Sequence, residues 1–343
     1  MVEAGAHERK ENKRVKAATG VKFEDDEEQC IGGDHKFEKN PAWLQERLEQ
    51  FDNLYAEQKA KFDAFPHEEI SITLPDGNVK KGISFETTPL MIAKEISNQL
   101  PDKVVVAKVK YARRIATLDV GLVDAMDDKT EEGEDWIQYD AWRPLEGDCE
   151  IKLLKFEDPE GQETFWHSSA HILGEALERE FGVHLCHGPP TEAGFFYDSF
   201  TGHDMFKEEN YKQIEEAAKK VIAEKQTFQR LVLSKQAALH MFAKNPFKIS
   251  LITNKIPDDG SVTVYKCGNL IDLCTGPHLV HTGRIKAFKV IKNSSAYWLG
   301  KATNDSLQRI YGITFPSKKQ LDEWVHFQEE AAKRGHKRVG EHQ

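Results

Sequence analysis

The amino-acid sequence predicts an α+β protein in which a small strand-rich module precedes a larger two-layer module of helices and sheet. Between residues 67 and 157, alternating strand-like patterns surround one short helix. After residue 160, long amphipathic helices alternate with strands. The length of 343 residues fits about two domains. A hydrophobic fraction of 39% and a charged fraction of 30% suit globular cores with a well-solvated surface.

Composition also limits the compartment and the partners. The formal net charge of -10 argues against a globally basic nucleic-acid binder, although a local basic face remains compatible with it. The five cysteines show no disulfide framework, which favours a reducing compartment. No apolar run approaches the ~20 residues that span a bilayer, and no signal or transit peptide is recognisable. We therefore expect a cytoplasmic protein without a membrane partner.

The first 66 residues divide into two segments. Residues 1–40 are rich in charge and poor in large apolar side chains, which predicts a disordered tail. Residues 41–66 carry apolar side chains at three- and four-residue spacings and are predicted to form a solvated helical arm. The spacing is formed by Trp43, Leu44, Leu48, Phe51, Leu54 and Tyr55.

The segment 67–157 has the element order of a β-grasp, ubiquitin-like module. A strand at 70–74 and a turn at 75–78 precede a second strand. Thr88 followed by Pro89 predicts a helix start, because a hydroxyl N-cap precedes a proline at the first helical position. A β-branched run at 104–109 and a last strand at 151–154 complete the order. The acidic stretch near 119–137 is predicted to be an inserted surface loop.

The segment 160–338 is predicted to form an α+β two-layer domain. A helix over 165–181 is followed by an aromatic strand at 194–198 and a polar helix over 208–226. A short strand at 231–233, a short helix over 235–243 and three strand-like runs come next. A charged helix from residue 318 to about 334 ends the order.

Two short patterns in this second module carry the chemistry. His167 and His171 lie one turn apart on one face of the predicted helix, and Cys274 and His278 repeat the same spacing about a hundred residues later. Three imidazoles and one thiolate could ligate zinc, or the four groups could form a metal-free hydrolytic pocket. The histidine pair lacks the intervening glutamate that zinc proteases use as a base. Both alternatives remain open on these residues alone.

Five motifs, taken in order, resemble the N-terminal half of threonyl-tRNA synthetase, and the resemblance covers about residues 40–340. The first module resembles the TGS domain of that family, and the second resembles its editing, or second additional, domain. The charged tail and helical arm resemble the eukaryotic cytosolic branch. The motifs are His-Ser-Ser-Ala-His at 167–171, Gly-Phe-Phe-Tyr-Asp at 194–198, Asp-Leu-Cys-Thr-Gly-Pro-His at 272–278, Ser-Ala-Tyr-Trp-Leu-Gly at 295–300 and Leu-Gln-Arg-Ile-Tyr-Gly at 307–312.

The resemblance implies hydrolysis of serine that has been wrongly attached to threonine tRNA. Serine differs from threonine by one methyl group, which supports only about 1–3 kcal/mol of discrimination in a single binding step, so a second pocket is needed. In this family the four motif residues line that pocket, and Lys248 positions water or stabilises charge. Asp272 binds the substrate's amino group, and Tyr197 lies at the pocket edge. The implied pocket residues are His167, His171, Cys274 and His278.

The threonyl family edits without a metal, so we expect no cofactor for editing. Zinc on the same four residues, as in alanyl-type editing modules, is the alternative. The sequence lacks the class II catalytic core and the anticodon-binding domain, so we expect neither ATP use nor aminoacylation by this chain. Expected partners are the 3′ end of threonine tRNA and a second copy of the chain or a full-length synthetase. Besides the hydrolase, a zinc-binding trans-editing module and a non-catalytic tRNA- or protein-interaction fragment remain as alternatives.

Overall fold

A computed structural model describes residues 30–125 and 135–340 and confirms the α+β class. Its α-helices are α1 (Trp43–Ala64), α2 (Pro89–Ile96), α3 (Pro159–Phe181), α4 (Glu209–Ala223), α5 (Lys235–Met241), α6 (Pro246–Lys255) and α7 (Lys318–Gly340). Its strands are β1 (Glu69–Thr73), β2 (Val79–Ile83), β3 (Val104–Arg114), β4 (Ile137–Tyr139), β5 (Gly147–Lys155), β6 (His184–His187), β7 (Pro190–Thr191), β8 (Gly194–Phe200), β9 (Phe228–Ser234), β10 (Ser261–Cys267), β11 (Leu270–Leu273), β12 (Ala287–Tyr297) and β13 (Ser306–Phe315).

The first five strands form one mixed sheet in the order β2-β1-β5-β3-β4. The first and last strands of the module, β1 and β5, pair in parallel, whereas the other pairs are antiparallel. Helix α2 begins as predicted, because the Thr88 hydroxyl accepts a hydrogen bond from the Met91 amide and Pro89 occupies the first turn. The short strand β4 was not predicted from the sequence.

The predicted acidic surface loop differs from the structure at its start. Residues 126–134 lie outside the described residues. Before them, Leu122 forms a β-bridge with Ser261, and Ala125 is buried in the core of the second module. Asp119 is also buried, among three arginines. The prediction of a surface loop is therefore wrong for Asp119, Val123 and Ala125, which paired charges and apolar contacts bury, whereas residues 120–121 are exposed.

The second module is built around α3. This helix packs against two antiparallel sheets, β11-β10-β9 and β12-β13-β8-β6, and β7 pairs with β8. Most of its side chains are buried, including polar ones, as expected for a helix enclosed on several sides. Helix α3 ends at Gly182, whose φ of 61° is the left-handed conformation that favours glycine.

Two predictions about the N-terminal segments are wrong. Residues 30–40 pack against the second module rather than forming part of a disordered tail, as Phe37 shows by contacting Phe181 and Phe206. Helix α1 is not a solvated arm, because it packs against β9 and β11 and buries Phe51 completely. Residues 1–29 lie outside the described part of the chain.

Helix α7 packs its first turns on the second module through Leu321 and Trp324 and then extends away with most side chains exposed. Within residues 30–125 and 135–340, no helix is both long enough and apolar enough to cross a membrane.

Candidate functional site

Helix α3 and the segment after β11 bring the four motif residues into one cluster. The ring centroid of His278 lies 4.6 Å from that of His167 and 4.2 Å from that of His171. The Cys274 sulfur lies 3.3 Å from His167 Nε2 and 3.1 Å from His278 Nε2. His167 is half-buried and the other three are buried. The structure thus places together four side chains from two patterns that lie 107 residues apart in the chain.

His278 is held in a defined orientation by its neighbours. Its Nδ1 lies 3.0 Å from the Ser168 hydroxyl, which also accepts a hydrogen bond from the Leu279 amide at 3.0 Å. Its ring stacks on Phe228 with a centroid separation of 4.9 Å. Burial and the two neighbouring imidazoles hold the pKa of His278 well below its usual range, so the ring is neutral at pH 7. With Nδ1 beside the Ser168 hydroxyl, the Nε2 atom faces the Cys274 sulfur at 3.1 Å.

His171 differs from His278 in its hydrogen bonding. Burial lowers its pKa to about 4, while Asp272 raises it and Lys248 lowers it further. Within the described residues, its buried Nδ1 has no hydrogen-bond partner. An unpaired buried polar atom is costly in a protein interior, so this nitrogen is a natural position for water, substrate or a metal ion.

A second buried cluster joins Lys248, Asp272 and Tyr197. The Lys248 ammonium lies 3.0 Å from Asp272 Oδ1 and donates to the Cys186 carbonyl at 3.0 Å. The Tyr197 hydroxyl donates to Asp272 Oδ2. Helix α6 presents Lys248 in its first turn, where the Asn245 side chain caps the helix.

Electrostatics keep this second cluster ionised. Burial alone would raise the pKa of Asp272, but Lys248 and His171 lower it by more, so the carboxyl stays ionised. Burial, together with the Asp272 charge, raises the pKa of Tyr197 well above its usual range. Tyr197 is fully buried and contacts the proposed substrate-binding residue Asp272, so its place at the pocket edge stays a prediction. Its ring is enclosed by Gly174 and Gly188, where a side chain would collide with it.

Several residues that shape the site were not predicted. Ser168 lies inside the first motif, and its position beside His167 could have suggested a role. The loop between β4 and β5 reaches the site from the first module. There Asp140 Oδ1 accepts a hydrogen bond from the His278 amide at 2.7 Å, and Trp142 Nε1 donates to the His278 carbonyl at 3.1 Å. No sequence signal links these residues to His278, because they are 138 and 136 positions away.

The donor set also fits zinc. One potential ligand atom from each of the four motif residues lies within 4.8 Å of all the others. A tetrahedral site with bonds of about 2.0–2.3 Å separates its ligand atoms by roughly 3.5 Å, so small movements would suffice. The unpaired Nδ1 of His171 is consistent with a missing ligand partner. Candidate zinc ligands are therefore His167, His171, Cys274 and His278.

Comparison with known proteins finds a family match that includes residues of this site. Residues 262–311 match the family model described as "Threonyl and Alanyl tRNA synthetase second additional domain". Relatives of this chain include three threonine–tRNA ligases. The chain is 46% identical over 305 residues to the probable cytoplasmic threonine–tRNA ligase 1 of Dictyostelium discoideum. It is 44% identical over 317 and 318 residues to the cytoplasmic enzymes of Saccharomyces cerevisiae and Homo sapiens.

These alignments take in 88–91% of this chain but only 39–40% of each synthetase. The chain thus spans about two fifths of the length of the curated relatives it matches. The matched family segment contains Asp272, Cys274 and His278, so the likeness includes part of the site.

Proposed function

We propose that this chain is a cytoplasmic aminoacyl-tRNA editing hydrolase that removes serine from mischarged threonine tRNA. One observation carries the proposal. In the part of the chain that the structure describes, neutral His171 has an unpaired buried Nδ1, and the charges of the buried Lys248–Asp272 ion pair act on its pKa. An acceptor for a water proton and a fixed positive charge are the two groups that ester hydrolysis needs. The homology to threonyl-tRNA synthetases supports the choice of tRNA as the substrate.

The buried residues suggest how the ester is held. The Asp272 carboxylate accepts from Lys248, Tyr197 and the Leu273 amide, and retains acceptor capacity for the seryl ammonium group. Two of the three Lys248 protons point to Asp272 and Cys186. The third donates to the ester carbonyl oxygen as negative charge develops on it.

In the hydrolytic step, a water molecule that donates a hydrogen bond to His171 Nδ1 attacks the ester carbonyl carbon and gives up a proton to this nitrogen. The bond from that carbon to the ribose oxygen breaks, and the proton taken from water passes through the imidazole to the ribose oxygen. A pKa of about 4 makes His171 a weak base. The activated ester of the tRNA terminus nevertheless needs a well-placed water more than a strong base. His278, whose ring nitrogens already have partners, orients Cys274 and the loop around it.

Zinc-dependent editing is the second candidate, because four suitable ligand atoms converge. The metal would be held by His167, His171, Cys274 and His278, and would supply Lewis acidity beside the ester. The remaining candidate is a tRNA- or protein-binding fragment without hydrolytic activity. We favour the metal-free hydrolase because the buried Lys248–Asp272 ion pair provides a cation for the ester carbonyl and a carboxylate for the seryl ammonium group.

Deacylation of seryl- and threonyl-tRNA(Thr) by the purified chain tests the proposal. We expect seryl-tRNA to be hydrolysed preferentially, and His171→Ala to slow hydrolysis by about 10²–10⁴-fold, the range for loss of a catalytic proton-transfer group. Lys248→Met should slow it by about 10²–10³-fold, the range for loss of one oxyanion-stabilising donor. His278→Ala should also slow it. His203→Ala is the matched control, because that imidazole is exposed and pairs with the exposed Asp34.

Metal analysis and a chelator arm separate the two hydrolase candidates. Stoichiometric zinc, with activity lost on chelation and restored by zinc, would favour the zinc-dependent module. If seryl-tRNA survives equally long with and without the chain, hydrolysis is rejected and the non-catalytic fragment is favoured.

A further inference from the structure

We propose that Asp140, in the first module, is a positioning residue for the hydrolytic site of the second module. The inference rests on the proposed function, and it makes the β-grasp module a structural part of the active site rather than a neighbour. The loop between β4 and β5 carries Asp140 and reaches the segment 274–278. Asp140 contacts this segment both directly, at the backbone of His278, and through the side chain of Tyr265.

The first contact is with the backbone of His278. Its amide donates to Asp140 Oδ1 at 2.7 Å, and its carbonyl accepts from Trp142 Nε1 at 3.1 Å. Both peptide groups of one catalytic-loop residue are therefore bound by side chains of the first module. Ser168 fixes the ring of the same residue from α3. Backbone and ring are held by different modules, so the position of His278 depends on how the modules are joined.

The second contact passes through Tyr265. The hydroxyl of Tyr265 donates to Asp140 Oδ2 at 2.8 Å, and its ring meets the His278 ring edge-on at a centroid distance of 4.6 Å. The same hydroxyl lies against Gly276, where an added Cβ would approach it to 2.2 Å. The Gly276 amide in turn donates to the Cys274 sulfur at 3.2 Å. Asp140 therefore fixes the position of Tyr265. Through Tyr265 it also limits the position of Gly276, whose amide binds Cys274.

A buried ion cluster keeps the Asp140 loop in place. Arg143, three residues further along, pairs with Asp119 at 2.8 Å and with Glu146 at 3.4 Å. Asp119 also pairs at 2.8 Å with Arg230, which belongs to β9 in the second module. Moving the loop would leave several buried charges without their partners, which is strongly unfavourable. The loop therefore acts as a rigid support for His278.

The chemistry of a carboxylate explains why aspartate suits this position. It accepts hydrogen bonds through both oxygens, whereas an asparagine has one acceptor oxygen and one donor group. In Asp140→Asn, only one of the His278 amide and the Tyr265 hydroxyl can keep its present bond. Asp140→Ala removes both bonds. The two variants therefore form a graded series, and Tyr265→Phe removes the hydroxyl bond alone.

The test compares kcat and KM for seryl-tRNA(Thr) in the full chain. A misplacement of about 1 Å in a catalytic site can reduce a rate about 10²-fold, even when the substituted residue does not take part in the chemistry. We expect Asp140→Ala to lower kcat by roughly 10–100-fold with KM within about twofold, and Asp140→Asn to fall between it and the wild type. Asp198→Ala is the matched control, because it also removes a buried aspartate from a hydrogen-bonded pair, here with Arg309. It should keep kcat within about twofold of the wild type.

Nitrogen-15 spectra of the histidine rings supply a readout independent of catalysis. We expect the His278 ring signals, assigned with His278→Gln, to shift in Asp140→Ala and Tyr265→Phe but not in Asp198→Ala. Unchanged ring signals together with kcat within twofold of the wild type in Asp140→Ala would overturn the proposal. If Asp140→Ala does not fold, kcat and the His278 ring signals are measured in Asp140→Asn and Tyr265→Phe instead, and wild-type values in both variants overturn the proposal.

Failure of the proposed function is distinguishable from failure of this inference. A wild-type chain that does not hydrolyse seryl-tRNA rejects the function. A shift of the His278 signals in the same preparation of Asp140→Ala would still establish the positioning contact.

Discussion

Replacing Arg47 with methionine should destabilise the fold strongly. Its guanidinium makes two hydrogen bonds to Glu178, at 3.0 Å and 2.6 Å, and a third to the Asn269 carbonyl at 3.2 Å. The side chains are only 6% and 2% exposed. This pair joins α1 to α3, the helix that carries His167 and His171. Arg47→Met leaves the Glu178 carboxylate buried without its cation.

Removing one partner of a buried ion pair costs about 3–5 kcal/mol, a large part of the ~5–15 kcal/mol that stabilises a typical fold. Burial raises the pKa of Glu178, and Arg47 opposes that rise. Without Arg47 the pKa rises further above its unfolded value. The stability loss should therefore grow as the pH rises and this carboxyl must ionise.

Urea unfolding of the wild type, Arg47→Met and the double variant Arg47→Met/Glu178→Met measures this loss. We expect the single variant to lose about 3–5 kcal/mol at neutral pH and the double variant to recover most of it, because no buried charge remains. A loss below about 1 kcal/mol is typical of an exposed ion pair and would show that α1 is a solvated arm.

Burial raises the pKa of Glu175 from 4.5 to about 7, so the folded protein binds this proton more tightly than the unfolded chain. The resulting contribution to the unfolding free energy is complete below pH 4.5 and is lost as the pH rises through 7. Glu175→Gln should therefore remove a decline of up to about 3 kcal/mol in the unfolding free energy between about pH 4.5 and 8; an unchanged slope would contradict the burial argument. Because the pKa of His171 is lowered to about 4, seryl-tRNA hydrolysis should keep its rate as the pH falls through about 6.5, and a midpoint there would refute the neutral-imidazole mechanism. Asp305→Ala removes the acceptor of the Ile31 and Gly32 amides, so both should exchange faster with deuterium; equal rates would show that this contact does not hold the N-terminal segment.

Local features of the fold could be predicted because their causes are local. The start of α2 follows from a hydroxyl cap before a proline, and the structure confirms the hydrogen bond to Met91. The α+β class likewise follows from periodicity within single segments. In contrast, the apolar spacing of α1 is the same whether the helix is covered or solvated. Burial of Phe51 depends on β9 and β11, far along the chain.

The site divides in the same way. Each motif places its two side chains close together, and the sequence alone thereby identified the four residues of the cluster. The resemblance to threonyl-tRNA synthetase added Lys248, Asp272 and Tyr197. The structure shows that these three form a separate buried cluster beside the first. Tyr197 is fully buried in that cluster, with its hydroxyl on Asp272.

The order of residues along the chain sets which chemical groups are available and how they are spaced along each element. Helix geometry alone puts His167 and His171 on one face. The contact of Cys274 with His167, 107 residues away, and the bond from His278 to Asp140 of another module arise only when the chain is folded. The tertiary structure also decided the charge states, because the pKa of His171 depends on burial by distant segments and on the Lys248–Asp272 pair. Spacing is a property of neighbouring residues, whereas burial and electric fields come from every atom the fold brings close.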